Sequence, residues 1–205
     1  MSEDLCRVLI VDDHEIARTG LTLLLETHGF EVAGFVKQGA EVIPFLQTER
    51  VDIVLLDLGL PDMNGLSILV NLVGIFDASV IVLSGTLDGP TCDTALKMGA
   101  RGVVSKSDPS DIIIEALNAA KNGQTYCSPD ASMMLSRQQL TDVRLSPRQM
   151  AILYFLSEGE TNKEIGYRLR IAPPTVSFHL REMREKLGVE SNKKILPMAK
   201  SMGLI

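Results

Sequence analysis

Between Arg7 and Asn122 short apolar runs alternate with longer stretches in which apolar residues recur every three or four positions. The runs are RVLIV, EVAGF, DIVLL, SVIVL and GVVS. They are apolar at successive positions rather than at every second one, which predicts strands buried on both faces and hence a parallel sheet covered by helices. The helical stretches between them are HEIARTGLTLLLETHG, GAEVIPFLQTE, GLSILVNLVG and PTCDTALKMG, with PSDIIIEALNAAKNG after the last run. Gly29, Gly74, Gly99 and Gly123 stand where these helices should end, and Asp108 followed by Pro109 predicts an N-cap and first helical position. The pattern over residues 1–123 is therefore that of a five-stranded, doubly wound α/β domain.

Residues 124–143, QTYCSPDASMMLSRQQLTDV, lose the alternation and are rich in Ser and Gln, which places a linker there with a short helix around Ala131 to Gln138. Beyond it, residues 144–205 read as purely helical. Ser146-Pro147 with Gln149, and Thr161 with Glu164, are capping boxes that open helices, and Gly159 and Gly188 close helices before turns. The tail is expected to be a compact four-helix unit whose last helix runs from Asn192 to Met202.

Composition narrows the class. With 45% hydrophobic and 22% charged residues, a chain of 205 residues suits one or two globular domains and excludes a disordered or fibrous protein. No apolar run approaches the roughly 20 residues that a membrane span needs, and the acidic start MSEDLC is unlike a secretory signal, so the expected location is cytoplasmic. Cys6, Cys92 and Cys127 are far apart and form no metal-binding pair, and are read as small buried or semi-buried thiols. The net charge of −6 is unevenly spread. Residues 1–140 hold 9 basic against 19 acidic side chains, a net of −10, whereas residues 141–205 hold 11 against 7, a net of +4. Only the back end is suited to a polyanion.

In an open parallel sheet ligands bind beyond the carboxyl ends of the strands. The residues at those ends are Asp12 and Asp13 after the first run, Asp57 after the third, Ser84 after the fourth and Lys106 after the fifth. Three carboxylates this close repel one another unless a cation joins them, and an all-oxygen site completed by a backbone carbonyl and waters suits octahedral Mg²⁺. Lys106 and Ser84 would then hold anionic oxygens from the opposite side. The set fits phosphoryl transfer to a carboxylate, with Asp57 as the in-line nucleophile and the cation and Lys106 neutralising the equatorial oxygens.

Residues 5–122 resemble the receiver domain of bacterial two-component response regulators, a flavodoxin-like fold. The segments that carry the resemblance are VDD at 11–13, LLDLGLPDMNG at 55–65, VLSG at 82–85 and VSK at 104–106. It implies that Asp57 accepts phosphate from a histidine kinase or phosphotransfer protein. It further implies that Asp13, Asp57 and the Gly59 carbonyl ligate Mg²⁺, that Asp12 helps through water, that Lys106 contacts the phosphoryl group and that Ser84 swings to bond it. The family usually carries Tyr or Phe three residues before the Lys, a side chain that moves with the hydroxyl residue; here that position is Val103.

The tail segment TNKEIGYRLRIAPPTVSFHLREMREKLGV, residues 161–189, holds two helical patterns separated by a turn around Arg170 to Pro173, the spacing of a helix-turn-helix. Projected at about 100° per residue, Val176, Leu180, Met183 and Leu187 form the core stripe, while Pro174, Phe178, Arg181 and Glu185 face away. In a DNA major groove the Arg reaches guanine or phosphate and the ring touches thymine methyls. Thr175, Ser177 and Arg184 flank this face, and Lys163, Arg168, Lys193 and Lys194 are candidates for phosphate contact. The stretch resembles the LuxR-type helix-turn-helix, most specifically through NKEI, TVSFH and KLGV, so the whole chain is similar to NarL/FixJ-type response regulators. Ser177 stands where that family often has Lys, and Ala172-Pro173-Pro174 replaces a more usual Ser or Asp cap.

The resemblance implies a phosphorylation-controlled transcription regulator that binds double-stranded DNA as a homodimer through contacts of the last helix. Two rivals differ in kind. A phosphatase acting on external substrates needs a second general acid near the nucleophile, and Gly59 supplies none. A regulator that ignores phosphate and answers to a protein partner is the alternative that Val103 keeps open.

Overall fold

A computed structural model of the chain describes residues 5–73, 76–85, 87–136 and 143–205. Five strands and five helices alternate through the first part: β1 (Cys6–Val11), α1 (Glu15–Thr27), β2 (Phe30–Val36), α2 (Gly39–Thr48), β3 (Ile53–Asp57), α3 (Gly65–Leu72), β4 (Ser79–Ser84), α4 (Gly89–Lys97), β5 (Gly102–Ser105) and α5 (Ser110–Lys121). All strands are parallel, in the order β2-β1-β3-β4-β5, with a sixth strand outside β5.

Why the runs are apolar at every position is visible in the packing. Successive side chains of a strand point to opposite faces. Leu9, Val54, Leu56, Val80, Val82 and Val103 belong to the core beneath α2, α3 and α4, whereas Val8, Ile10, Ile53, Leu55, Ile81 and Val104 belong to the core that also holds Leu21 and Leu25 of α1 and Leu117 of α5. The strand order reverses between β1 and β3, which opens a crevice at their carboxyl ends. The pairing of Val11 with Leu56 and of Asp57 with Leu83 brings those ends level.

Three features differ from the sequence reading. The sheet has six strands rather than five: β6 (Tyr126–Cys127) lies in the segment assigned to the linker, where the Tyr126 amide donates to Arg101 and the Ser128 amide to Val103. The linker helix α6 runs Pro129–Ser136 and packs against α4 and β5, while residues 137 and 138 of its expected range lie outside the described residues. Asp108 does not cap α5. Its carboxylate accepts from the Ser105 amide at 2.9 Å and so closes the β5–α5 turn, leaving Pro109 at the cap position. Gly74, expected to end a helix, also lies outside the described residues; α3 ends at Leu72.

The tail is built as read, from α7 (Pro147–Ser157), α8 (Asn162–Arg168), α9 (Pro173–Leu187) and α10 (Ile195–Ser201), the last preceded by a 3₁₀ turn at Asn192–Lys194. Both capping boxes form. Gly166 is required where α8 meets the turn, since a Cβ there would sit 2.8 Å from the Ile171 carbonyl. Arg170 adopts a left-handed backbone (φ 52°) in that turn.

Helix α7 is buried on all sides from Gln149 to Phe155. One face fills the tail's own core; the other lies on α3 and α4 of the sheet domain. Tyr154 Oη is 3.2 Å from Ser67 Oγ, and a cavity of about 250 Å³ between Val70, Val73, Met98, Pro147 and Ala151 marks the rest of the seam.

Candidate functional site

Asp57 is the last residue of β3 and Ser84 the last of β4; Asp12 follows β1 and Lys106 follows β5. The parallel register therefore brings all four to one edge. Asp12 and Asp57 are almost fully buried, at 1% and 4% exposure. A buried carboxylate is costly unless it is paired, and here Lys106 Nζ donates to Asp12 Oδ2 and to Asp57 Oδ2, each at 2.7 Å. The Gly59 amide donates to Asp57 Oδ1 at 3.0 Å and the His14 amide to Asp12 Oδ1 at 2.8 Å. Burial pushes the Asp12 carboxyl up, but the Lys106 ammonium and the His14 hydrogen bonds outweigh it and hold the group below the usual carboxylate range. Burial likewise works against the Lys106 ammonium, yet its two carboxylate partners keep its pKa above the ordinary lysine value.

These groups open on a pocket of about 780 Å³ that Asp57, Gly59, Ser84 and Lys106 line together with His14, Asn64 and Asp88. The loop after β3 is drawn tightly around it. Asn64 caps α3 by accepting from the Leu66 amide at 2.9 Å, and a Cβ on Gly65 would lie 2.6 Å from Leu58 Cα. Asp62 accepts from the amides of Gly39 and Ala40 at 2.9 and 3.0 Å, tying that loop to the start of α2.

One side of the pocket can hold a metal ion. Ligand atoms of Asp12, Asp13, His14 and Asp57 all lie within 4.8 Å of one another. Asp13 Oδ1 is a buried atom without a hydrogen-bond partner, an acceptor left for something else to satisfy. The donors fit a divalent cation. His14 and Asp62 were not singled out from the sequence. The only signal for His14 is that an imidazole directly follows two adjacent aspartates.

Val103 is fully buried in β5, where it continues the strand and packs beneath α4. The site's polar contacts do not involve it.

In the tail, Val176, Leu180, Met183 and Leu187 are buried as the projection requires. Phe178 lies on the opposite face at 49% exposure, with the Arg181 guanidinium 5.9 Å above its ring. Thr175 and Ser177 are exposed beside it, and Ser177 accepts from Asn162 of α8 at 3.3 Å. Lys163, Lys193 and Lys194 are exposed. Two other basic residues are committed within the domain: Arg168 pairs with Glu160 and covers the Phe155 ring, and Arg184 donates to the Glu190 carbonyl at 3.3 Å.

Comparison with known proteins covers both parts. Residues 8–118 match the family model described as the response regulator receiver domain, and residues 143–199 match that of bacterial regulatory proteins of the luxR family. The response regulator UvrY of Escherichia coli (strain K12) is 27% identical, over 96% of this chain and 94% of its own. A putative transcriptional regulator of Pseudomonas aeruginosa is 30% identical over 97% and 99%. Among solved structures, that of two RcsB dimers bound to two parallel DNAs superposes with a TM-score of 0.63 at 25% identity, over 97% of this chain and 99% of that one.

Proposed function

The chain belongs to the bacterial response regulators that join a receiver domain to a LuxR-type domain, and from that membership we propose how its own residues divide the work. Asp57 accepts the phosphoryl group from a histidine kinase or phosphotransfer protein. A carboxylate oxygen forms the new P–O bond while the donor's P–N bond breaks, the electron pair leaving with the donor imidazole. Asp13, Asp57 and the Gly59 carbonyl would hold Mg²⁺, with Asp12 helping through water, and the ion would supply charge neutralisation at the phosphoryl oxygens. Lys106 and Ser84 meet those oxygens from the other side. The observation that carries this reading is the Lys106 ammonium, placed 2.7 Å from two buried carboxylates in the pocket that Ser84 also lines.

Residues 1–123 form the receiver, 124–143 the linker and 144–205 the DNA-binding domain. The protein acts in the cytoplasm, in keeping with the absence, among the described residues, of a helix long and apolar enough to cross a membrane. RcsB binds DNA as dimers, and the same arrangement suits this chain, because one helix-turn-helix offers too few contacts for tight specific binding. Helix α9 enters the major groove with Phe178 and Arg181 toward the bases, Thr175 and Ser177 beside them, Arg184 flanking that face while held to the Glu190 carbonyl, and Lys163, Lys193 and Lys194 toward the backbone; α10 is the candidate dimer contact.

The test is DNA titration at fixed salt, on a sequence selected by the wild-type protein, with and without acetyl phosphate. Phosphorylation should tighten binding. Arg181→Ala and Phe178→Ala should each weaken it by about 1–3 kcal/mol while leaving the melting temperature unchanged. Equal affinity with and without the phosphodonor would favour control by a protein partner instead; variants that bind like wild type would remove α9 from the interface.

A further inference from the structure

Glu182 is a carboxylate on α9, the helix that faces DNA. Beside a polyanion that charge is unfavourable. Its contacts supply a reason for it. The side chain is 37% exposed, and its Oε2 accepts two hydrogen bonds, from Gln149 Nε2 of α7 at 3.0 Å and from His179 Nδ1 at 3.2 Å.

Both donors are fixed by chemistry. Gln149 is 3% exposed, and its Oε1 already accepts from the Ser146 amide at 3.0 Å and from Lys186 Nζ at 2.8 Å, so the amide must turn its nitrogen to Glu182. A carboxylate only accepts, so the His179 nitrogen beside it carries a hydrogen. Glu182 and Lys186, one turn apart on α9, thus grip the two ends of a single buried amide on α7. That grip sets how α9 is turned about its axis. The turn matters at Phe178, whose half-exposed ring is not fixed by a core. The His179 ring meets it edge-on at 5.7 Å between centroids, and the Arg181 guanidinium lies over its face.

We propose that Glu182 is a positioning residue that sets the DNA sequence specificity of the chain. Through Gln149 it fixes the rotation of α9, and through His179 it fixes the Phe178 ring. The inference rests on the reading of α9 as the helix that turns Phe178 and Arg181 toward the bases, and concerns what holds that face in place. A group already held in its bound orientation loses less freedom on binding. Charge alone gives the opposite sign, because removing a carboxylate from α9 should tighten binding to any DNA.

The experiment titrates the full chain, at fixed salt and with acetyl phosphate throughout, against a duplex selected by the wild-type protein and a random duplex of equal length. Glu182→Ala should bind the random duplex about twofold more tightly and the selected one on the order of tenfold more weakly. Glu182→Gln, which loses the charge but keeps an oxygen for both donors, should hold the selected duplex within about twofold of wild type. Phe178→Ala should weaken selected binding in the wild-type background and add little in the Glu182→Ala background, since the two changes remove one arrangement. His179→Ala leaves the Gln149–Glu182 bond intact and carries the same test should loss of that bond weaken the fold. If Glu182→Ala tightens both duplexes, or if its effect and that of Phe178→Ala simply add, the proposal falls and the reading of α9 stands. If Phe178→Ala has no effect in the wild-type background, both fall together.

Discussion

Asp57→Asn should carry no phosphate after exposure to labelled acetyl phosphate, under conditions in which wild type acquires one acid-stable, hydroxylamine-labile label. The amide has the carboxylate's shape and keeps an oxygen for the Gly59 amide, but it cannot form the acyl phosphate. The fold should survive the change. Lys106 retains Asp12 as a partner, so no buried charge is orphaned, and the loss of one carboxylate relieves repulsion with its acidic neighbours. Stability in the absence of metal should stay within about 1 kcal/mol of wild type. Label on the variant at the wild-type level would overturn the assignment of Asp57; a collapsed melting curve would show that its ion pair with Lys106 holds the domain together.

Phe155→Ala should have the largest effect on stability. The ring is 1% exposed, meets Tyr154 edge-on at 5.5 Å between centroids and is covered by the Arg168 guanidinium at 5.5 Å. Truncating a ring so enclosed costs about 3–5 kcal/mol, against a total of roughly 5–15 kcal/mol for a typical domain. Chemical denaturation should show the tail unfolding at markedly lower denaturant, and DNA binding should be lost with it. Phe178→Ala is the matched control: the same residues are exchanged, on an exposed face, and the denaturation midpoint should not move. A small shift for Phe155→Ala would mean that the helix core repacks around the cavity.

The contrast between these two phenylalanines was only half legible in the sequence. Phe178 sits in α9, where polar and apolar positions alternate with a clear helical period, so its direction could be read from Val176, Leu180 and Met183. Phe155 sits in α7 within MAILYFL, where every position is apolar and the period points nowhere. That run is apolar because the helix has two partners, and the second is a surface distant in sequence, reaching back 87 residues at the Ser67–Tyr154 contact. Distance in sequence hid β6 as well. A two-residue strand has no pattern of its own, and its pairing depends on the carbonyls of Arg101 and Val103 being unclaimed at the sheet edge. Asp108 was misread because its carboxylate had two amides within reach, that of Ser105 behind it and those of α5 ahead, and the local rule considers only the latter. The acidic site was legible because the sheet converts strand ends, which are visible in the sequence, into neighbours in space. His14 escaped because nothing in the linear order tells which way a side chain turns after a strand.

Helix α7 gives the chain an indivisible middle. Cutting after residue 123 would leave Val70 and Met98 without the cover of Ala151 and its neighbours, and would also remove the edge strand that closes the sheet beyond β5. The complementary fragment would expose Ala151 and Tyr154 to water. Each half produced alone should therefore be less soluble than the parent chain, and mixing the two should restore solubility, because each carries the surface that the other was folded against.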